Sequence, residues 1–415
     1  VLIYAASVLV MYGFCGQWMG RRAARVATLV FCFHPTHVEA VASLVGRADC
    51  LCGLLFMSAA HYYTAHMRLT GSSSTSKYGH VSTANSTSGS ATSSACGSYI
   101  RAYSKFLFAL VLAVAASLAK EVGVTVFGLL LALEFADRAR NYQLACALRK
   151  QRSGTPVLFT DDECIQSMRH GVLDTFADTR ALARMGILVA TLALFMYFRM
   201  LIHGEHTLYE WTPLENHVAH LPTLTGRAIN YAQSHFWYAA KLMYPRHLCF
   251  DYGLACIPTI GSLWDVRNLL PLMMYFGVGY SVYRSLRRMR LAYLVGWASL
   301  LAPLLPALNV LFPVGTLLAE RLLFVPSVGF CMLVGELCAV DLWENGPWNT
   351  VNEAVGVVTQ LLSGACAGTG TGADADADGD YASSIVGGEP ARRPDTVSPS
   401  LRDATTGKTE VHVDR

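Results

Sequence analysis

Long apolar stretches broken by short polar ones dominate the first 342 residues. Runs that reach or approach the ~20 residues needed to cross a ~30 Å hydrocarbon layer occur at 1–19, 23–36, 50–66, 104–119, 122–137, 183–202, 268–284, 291–312 and 321–342. Each predicts a helix, because a backbone immersed in hydrocarbon must satisfy its own hydrogen bonds. The polar breaks carry information about sidedness. Three are basic, "GRRAAR" (20–25), "DRARNYQLACALRKQR" (137–152) and "RSLRRMR" (284–290), and the positive-inside rule puts them on the cytoplasmic face. Counting crossings from one to the next returns to the same side each time, provided that 229–245 does not cross. That segment, "INYAQSHFWYAAKLMYP", has Asn230, Gln233, His235 and Lys241 among its aromatics and predicts a helix lying in the interface. The same count gathers His34–Asp49, Lys120–Glu121, the segment 203–267 and Asn309–Arg321 on the opposite, non-cytoplasmic rim.

Composition agrees with the pattern. Of 415 residues, 53% are hydrophobic and 15% charged, with a mean hydropathy of +0.36, which excludes an ordinary soluble domain. The fold class expected is an all-α polytopic membrane protein. A net charge of +3 is too small to point to nucleic acid. Twelve cysteines are scattered without a CxxC pair or a zinc-ligand spacing, so most read as small buried hydrophobes. Val1 opens directly in an apolar run, with neither an initiator Met nor a preceding basic region, and the chain is expected to lack its natural beginning. The membrane domain is expected to occupy 1–345. The polar low-complexity segment 70–98 and the tail 346–415 are expected to be disordered, since neither can bury enough apolar surface to offset its ordering entropy. The sequon at Asn85-Ser86-Thr87 would stay unglycosylated on the cytoplasmic side. "DADADGD" in the tail lacks the closing Glu and flanking helices of a calcium loop.

Charges in one such loop would read as helix ends, but four loops on one rim read as a site, because ionisable groups at a membrane usually face a water-filled cavity. Arg47, Lys120, Arg199 and Arg321 supply cations suited to a phosphate. Glu39, Asp49, Glu121 and Glu320 can orient those cations or accept a proton. His34, His37, Asp251 and Asn309 complete the lining. A metal held by His34 and His37 has no obvious third ligand. An anionic lipid headgroup arriving from the bilayer would meet this arrangement.

The segments "FHPTHVEAVASLVGRADCLCGLLF" (33–56), "SLAKEVGVTVFGLLLALE" (117–134), "LCFDYGLACIPTIGSLWDVRNL" (248–269) and "PALNVLFPVGTLLAERLLFVPSVGFCMLV" (306–334) closely resemble the transmembrane and tetratricopeptide-repeat-containing (TMTC) proteins, in the same order and spacing over 1–342. The resemblance implies a GT-C glycosyltransferase bundle in the endoplasmic-reticulum membrane, its site loops lumenal. The implied activity is transfer of mannose from dolichyl-phosphate mannose to Ser/Thr hydroxyls, cadherin-type domains being among the acceptors. An inverting transfer needs a carboxylate to take the acceptor's proton and cations to stabilise the departing dolichyl phosphate. Proteins of this family carry an acidic pair in a first lumenal loop and a tetratricopeptide array after a final span. This sequence starts at what resembles the second span and turns polar after 345, so neither feature is expected in it. Glu39 and Asp49 are left as the carboxylates with a catalytic role. No cofactor is evident beyond the lipid-linked donor, and a need for divalent metal stays open. A transferase for another polyprenyl-phosphate sugar and a non-catalytic membrane adaptor remain alternatives. A transporter should show inverted repeats and midplane polar groups on broken helices, and neither is seen.

Overall fold

The computed structural model describes residues 1–71, 91–154, 159–203, 211–249, 252–253 and 256–339. Twelve α-helices make up most of them, with no strand among the described residues. In chain order they are α1 (Leu2–Trp18), α2 (Arg21–Phe33), α3 (His37–Ala42), α4 (Gly46–Gly71), α5 (Ala91–Ala119), α6 (Val126–Arg152), α7 (Asp161–Ala177), α8 (Thr179–His203), α9 (Leu224–Met243), α10 (Leu269–Arg287), α11 (Leu291–Leu304) and α12 (Ser327–Ala339). Each of the nine apolar runs is built on one of these helices. Tyr99–Ala119, Thr179–Ile202 and Leu291–Leu308 are long and apolar enough to cross a membrane, and α1 and α12 are shorter apolar helices. The chain is an all-α membrane protein.

The core lies where α1, α2, α4, α6 and α12 meet, filled by Met11, Phe14, Phe31, Phe56, Tyr63, Phe127, Leu130, Phe324 and Met332. The closest pairings are α4 with α5 and α1, α2 with α12, and α11 with α12. At one end of the bundle the basic stretches come together. Arg140 donates to the carbonyl of Gln17, beside the α1–α2 turn, at 3.4 Å. A small core of Ala139, Ala147, Phe159, Cys164 and Met289 joins the second basic stretch to the third.

Three local expectations need correction. The stretch 137–152 continues α6 as helix to Arg152, because its charges find partners: Arg138 pairs with Asp178 and Lys150 with Glu163 at 2.9 Å. The short amphipathic helix α7, which supplies Glu163, has no long apolar run to announce it. Its start is fixed by a capping box, Thr160 accepting from the Glu163 N–H while Glu163 accepts from the Thr160 N–H at 2.8 Å. Helix α5 begins at Ala91, inside the segment read as disordered, since extending an existing helix costs far less than nucleating one. Residues 72–90 with their sequon, and the tail from 346, lie outside the described residues.

Helix α9 is not among the helices long and apolar enough to cross a membrane. Near its start Asn230 exchanges hydrogen bonds with Ile260, donating to its carbonyl at 3.0 Å and accepting from its N–H at 2.8 Å. At its end the carbonyl of Leu242 accepts from His34 at 3.0 Å. Both ends are therefore tied to neighbouring loops.

Candidate active site

The four loops do converge on the rim opposite the basic end, and they converge through ion pairs. Asp49 in the first turn of α4 pairs with Lys120, just past α5. Glu39 on α3 accepts the backbone N–H of Arg321 at 2.9 Å and faces its guanidinium at 3.8 Å. Glu121 pairs with Arg199, near the end of α8, at 3.0 Å. These pairs form one string: Asp49 lies within electrostatic range of Arg321 and Glu121, and Glu39 within range of Asp49 and Glu320.

Local sequence explains why the backbone can bring these groups so close. A Cβ on Gly46 would sit 2.4 Å from the carbonyl oxygen of Ala40, and one on Gly123 2.1 Å from that of Ala116. Only glycine lets the α3–α4 corner and the Glu121–Thr125 3-10 turn fold back this tightly. Lys120 and Asp49 are thus set on two corners that each need a missing side chain. Asp49 is nearly fully buried, at 4% side-chain exposure, and while one of its oxygens takes Lys120, the other has no partner.

Burial raises the Glu39 carboxyl above its ordinary value, against the Arg321 N–H and guanidinium, which pull it down. Glu121 goes the other way. Burial raises it, but its own backbone N–H and Arg199 outweigh that, and it lies below the usual carboxylate range. Neighbouring carboxylates pushed apart in this way can divide the work, one holding a proton more readily and the other keeping its charge.

The remaining candidates separate by role. His34 and His37 are brackets of the fold and not lining. His37 lies between Tyr4 (3.0 Å) and Ser327 (2.8 Å). Ser327 donates to the Phe324 carbonyl and so accepts from Nε2 of His37, while the Tyr4 hydroxyl donates to the carbonyls of Phe31 and Cys32 and contacts Nδ1. Burial lowers the His37 pKa to about 3 and also lowers that of His34. His34 donates to Leu242 and accepts from Thr36 Oγ1 at 2.8 Å. Both rings have both nitrogens occupied. Asn309, in a left-handed conformation, accepts from Asn216 at 3.0 Å and from the Val314 N–H at 2.7 Å, closing the loop after α11 instead of lining the rim. Glu320 is buried and accepts from the Cys249 N–H at 2.9 Å and from the Tyr252 hydroxyl. It organises the loop after α9. Arg47 is exposed and makes no ion pair among the described residues. Asp251 lies outside the described residues. No group of three or more His, Cys, Asp or Glu that could hold a metal occurs among the described residues.

Two participants were not singled out in the sequence. Lys241 of α9, expected only to mark an interfacial helix, is buried 3.9 Å from Glu320 and donates to the carbonyls of Arg246 and His247 at 2.8 and 2.7 Å. Tyr252 follows Asp251 directly, so the acidic signal was one residue from a group that reaches the string. A third network lies inside the bundle: Arg184 of α8 forms two hydrogen bonds to Glu134 of α6, at 2.6 and 3.0 Å, and Tyr63 of α4 donates to the same carboxylate at 2.7 Å. Glu134 lies inside the apolar run 122–137 and was not singled out in the sequence.

Helices that bury an apolar core, with cations and carboxylates from four loops strung along one end, define a polytopic membrane protein with a charged rim site able to meet an anionic headgroup. The family described as "Protein O-mannosyl-transferase TMTC, DUF1736" matches residues 205–279, from the loop before α9 into α10. The chain is 30% identical over 317 residues to Protein O-mannosyl-transferase TMTC4 of Mus musculus, covering 75% of this chain and 38% of that protein. It is 28% identical over 339 residues to Protein O-mannosyl-transferase TMTC3 of Homo sapiens, covering 80% and 32%. With Protein O-mannosyl-transferase F38B6.6 of Caenorhabditis elegans the identity is 37% over 146 residues, covering 35% and 20%. No solved structure matches. The chain belongs to the TMTC family, and it spans less than two fifths of the length of these relatives.

Proposed function

We propose that this chain is the membrane-embedded part of a protein O-mannosyltransferase of the endoplasmic reticulum. It transfers mannose from dolichyl-phosphate mannose to Ser/Thr hydroxyls of secretory-pathway proteins, cadherin-type domains among them, at a lumenal rim. The observation that carries the reading is the ionic string Arg199–Glu121, Lys120–Asp49 and Arg321–Glu39, in a chain whose relatives are named protein O-mannosyl-transferases. The lumenal assignment follows from the basic stretches at the other end.

In this reading the donor's phosphate enters from the bilayer and is met by Arg199, Arg321, Lys120 and the unpaired Arg47. These cations stabilise the negative charge that grows on the phosphate as the glycosidic bond breaks. Their paired carboxylates hold the side chains in place beforehand, so little reorganisation is needed at that moment. Glu39, with its raised proton affinity, accepts the proton of the attacking hydroxyl. Asp49 positions Lys120.

The test uses microsomes from cells without endogenous TMTC-type activity, supplied with radiolabelled dolichyl-phosphate mannose and a cadherin-domain acceptor. This chain is compared with a version extended at its start by the matching region of a relative. Transfer by the extended chain that is lost in Arg321→Ala and Glu39→Gln supports the proposal. A correctly inserted extended chain that transfers nothing contradicts it and leaves a membrane adaptor as the better account.

A further inference from the structure

The basic end holds a second group of charges that the transfer reaction does not use. Arg68, near the end of α4, has two guanidinium nitrogens, Nε and Nη2, buried and without any hydrogen-bond partner. Among the described residues, Arg140 of α6 makes only the long 3.4 Å bond to the Gln17 carbonyl. Each arginine lies within electrostatic range of Asp137, and Arg68 within range of Arg140, yet no carboxylate among the described residues comes within ion-pair distance of either. Asp137 is engaged by the Asn141 amide at 3.0 Å instead. The indole N–H of Trp18, at the end of α1, is a further buried donor with no partner.

Buried donors are almost always satisfied, as Arg184 is, twice over, by Glu134; Arg227 and Arg290 each leave one buried Nε open, whereas Arg68 leaves two nitrogens open. Two arginines facing one carboxylate that pairs with neither leave a surplus of positive charge with directed, unused N–H groups. A tetrahedral oxyanion answers both needs, since guanidinium forks bind phosphate bidentately. Depth fits as well. Arg68 stands 22 residues beyond Gly46 on one helix, about 33 Å at 1.5 Å per residue, which is close to the ~30 Å separating the rim from the opposite headgroup layer.

We infer that the cytoplasmic ends of α1 and α4 and the middle of α6 form a binding site for a phosphate group, held between Arg68 and Arg140 with Trp18 as an additional donor. The phosphate comes from an anionic phospholipid of the inner leaflet or from soluble phosphate; the chemistry of the site is the same for both. Because α1 and α4 also frame the core beneath the rim, occupancy clamps the end of the bundle opposite the candidate active site. The inference does not depend on mannosyl transfer.

The full chain, purified in mild detergent, is mixed with phosphatidylinositol or phosphatidylcholine and examined by native mass spectrometry. Its thermal unfolding is followed separately with and without millimolar inorganic phosphate. Retention of phosphatidylinositol over phosphatidylcholine, reduced about tenfold in Arg68→Gln and in Arg140→Gln, supports the site with a lipid source. Stabilisation by inorganic phosphate that disappears in the same variants supports it with a soluble source. A wild-type chain that neither prefers the anionic lipid nor responds to phosphate overturns the inference, whatever the variants do. So does a preference that persists undiminished in both variants when they fold.

Discussion

Two ionic networks in this chain are built from the same residue types and do opposite things. Inside the bundle, Glu134 is closed off: Arg184 takes both of its oxygens, Tyr63 shares one of them, and its side chain is 1% exposed. At the rim the charges pair one to one, and three of the six keep an open side while Asp49 is nearly fully buried. Arg199 and Arg321 keep about a third of their side-chain surface exposed, and Glu121 keeps 71%. A saturated network holds helices α4, α6 and α8 in register but can offer nothing to a ligand. An unsaturated one can exchange its internal partner for a substrate group, which suits a site that must bind and release a phosphate.

The largest effect should come from breaking the saturated network. Glu134→Ala leaves Arg184 buried without a partner and is expected to destabilise the bundle by ~3–5 kcal/mol, as is typical when one half of a buried pair is removed. Thermal unfolding in detergent would show it, and a loss below 1 kcal/mol would mean that the network is not structural. At the rim the contrast predicts the reverse, little change in stability with a large change in activity. Glu39→Gln keeps the hydrogen bond from the Arg321 N–H and removes the proton acceptor, so transfer should fall about 10²-fold or more while the melting temperature stays nearly constant.

Acidity sharpens the same comparison. Glu39 must be ionised to act, and its pKa is raised from 4.5, so transfer should fail on the acid side at a pH above that of an ordinary carboxylate. Stability has its own dependence through His37. Its folded pKa is depressed from 6.5 to about 3, so the contribution of the neutral ring is present above the unfolded value and is lost progressively as pH falls below about 6.5. Replacing His37 by Gln should flatten that part of the stability profile. The smallest structural effect belongs to Arg47→Ala. An exposed, unpaired arginine should cost within ~0.5 kcal/mol of stability, and a weaker hold on the lipid-linked donor is the readout that separates a ligand contact from a bystander.

How far the sequence showed this arrangement depends on the distance over which each feature is determined. The nine apolar runs became helices because hydropathy over twenty residues is a local property that the bilayer enforces. The rim was legible as a place but not as a set of pairs. Glu39 and Arg321 are 282 positions apart and Asp49 and Lys120 are 71 apart, and no local pattern fixes which carboxylate meets which cation. The histidines of "HPTHVEA" looked like lining because residue type suggests chemistry. Only their partners, Leu242, Thr36, Tyr4 and Ser327, reveal that both rings are already occupied. Helix α7 escaped notice because it packs a short apolar face on α6 and α10, with a capping box as its sole local signal.

The most direct test of the rim as the donor site is binding without turnover. Purified chain in lipid nanodiscs would be titrated with dolichyl-phosphate mannose, comparing wild type with Arg321→Ala, Arg199→Ala and, as a control away from the rim, Arg138→Ala. The account predicts that each rim variant weakens donor binding about tenfold or more, since each removes a charge-assisted contact to the phosphate, and that the control binds like wild type. Equal binding by all four would show that the ionic string is a structural seam and contradict its role in holding the donor.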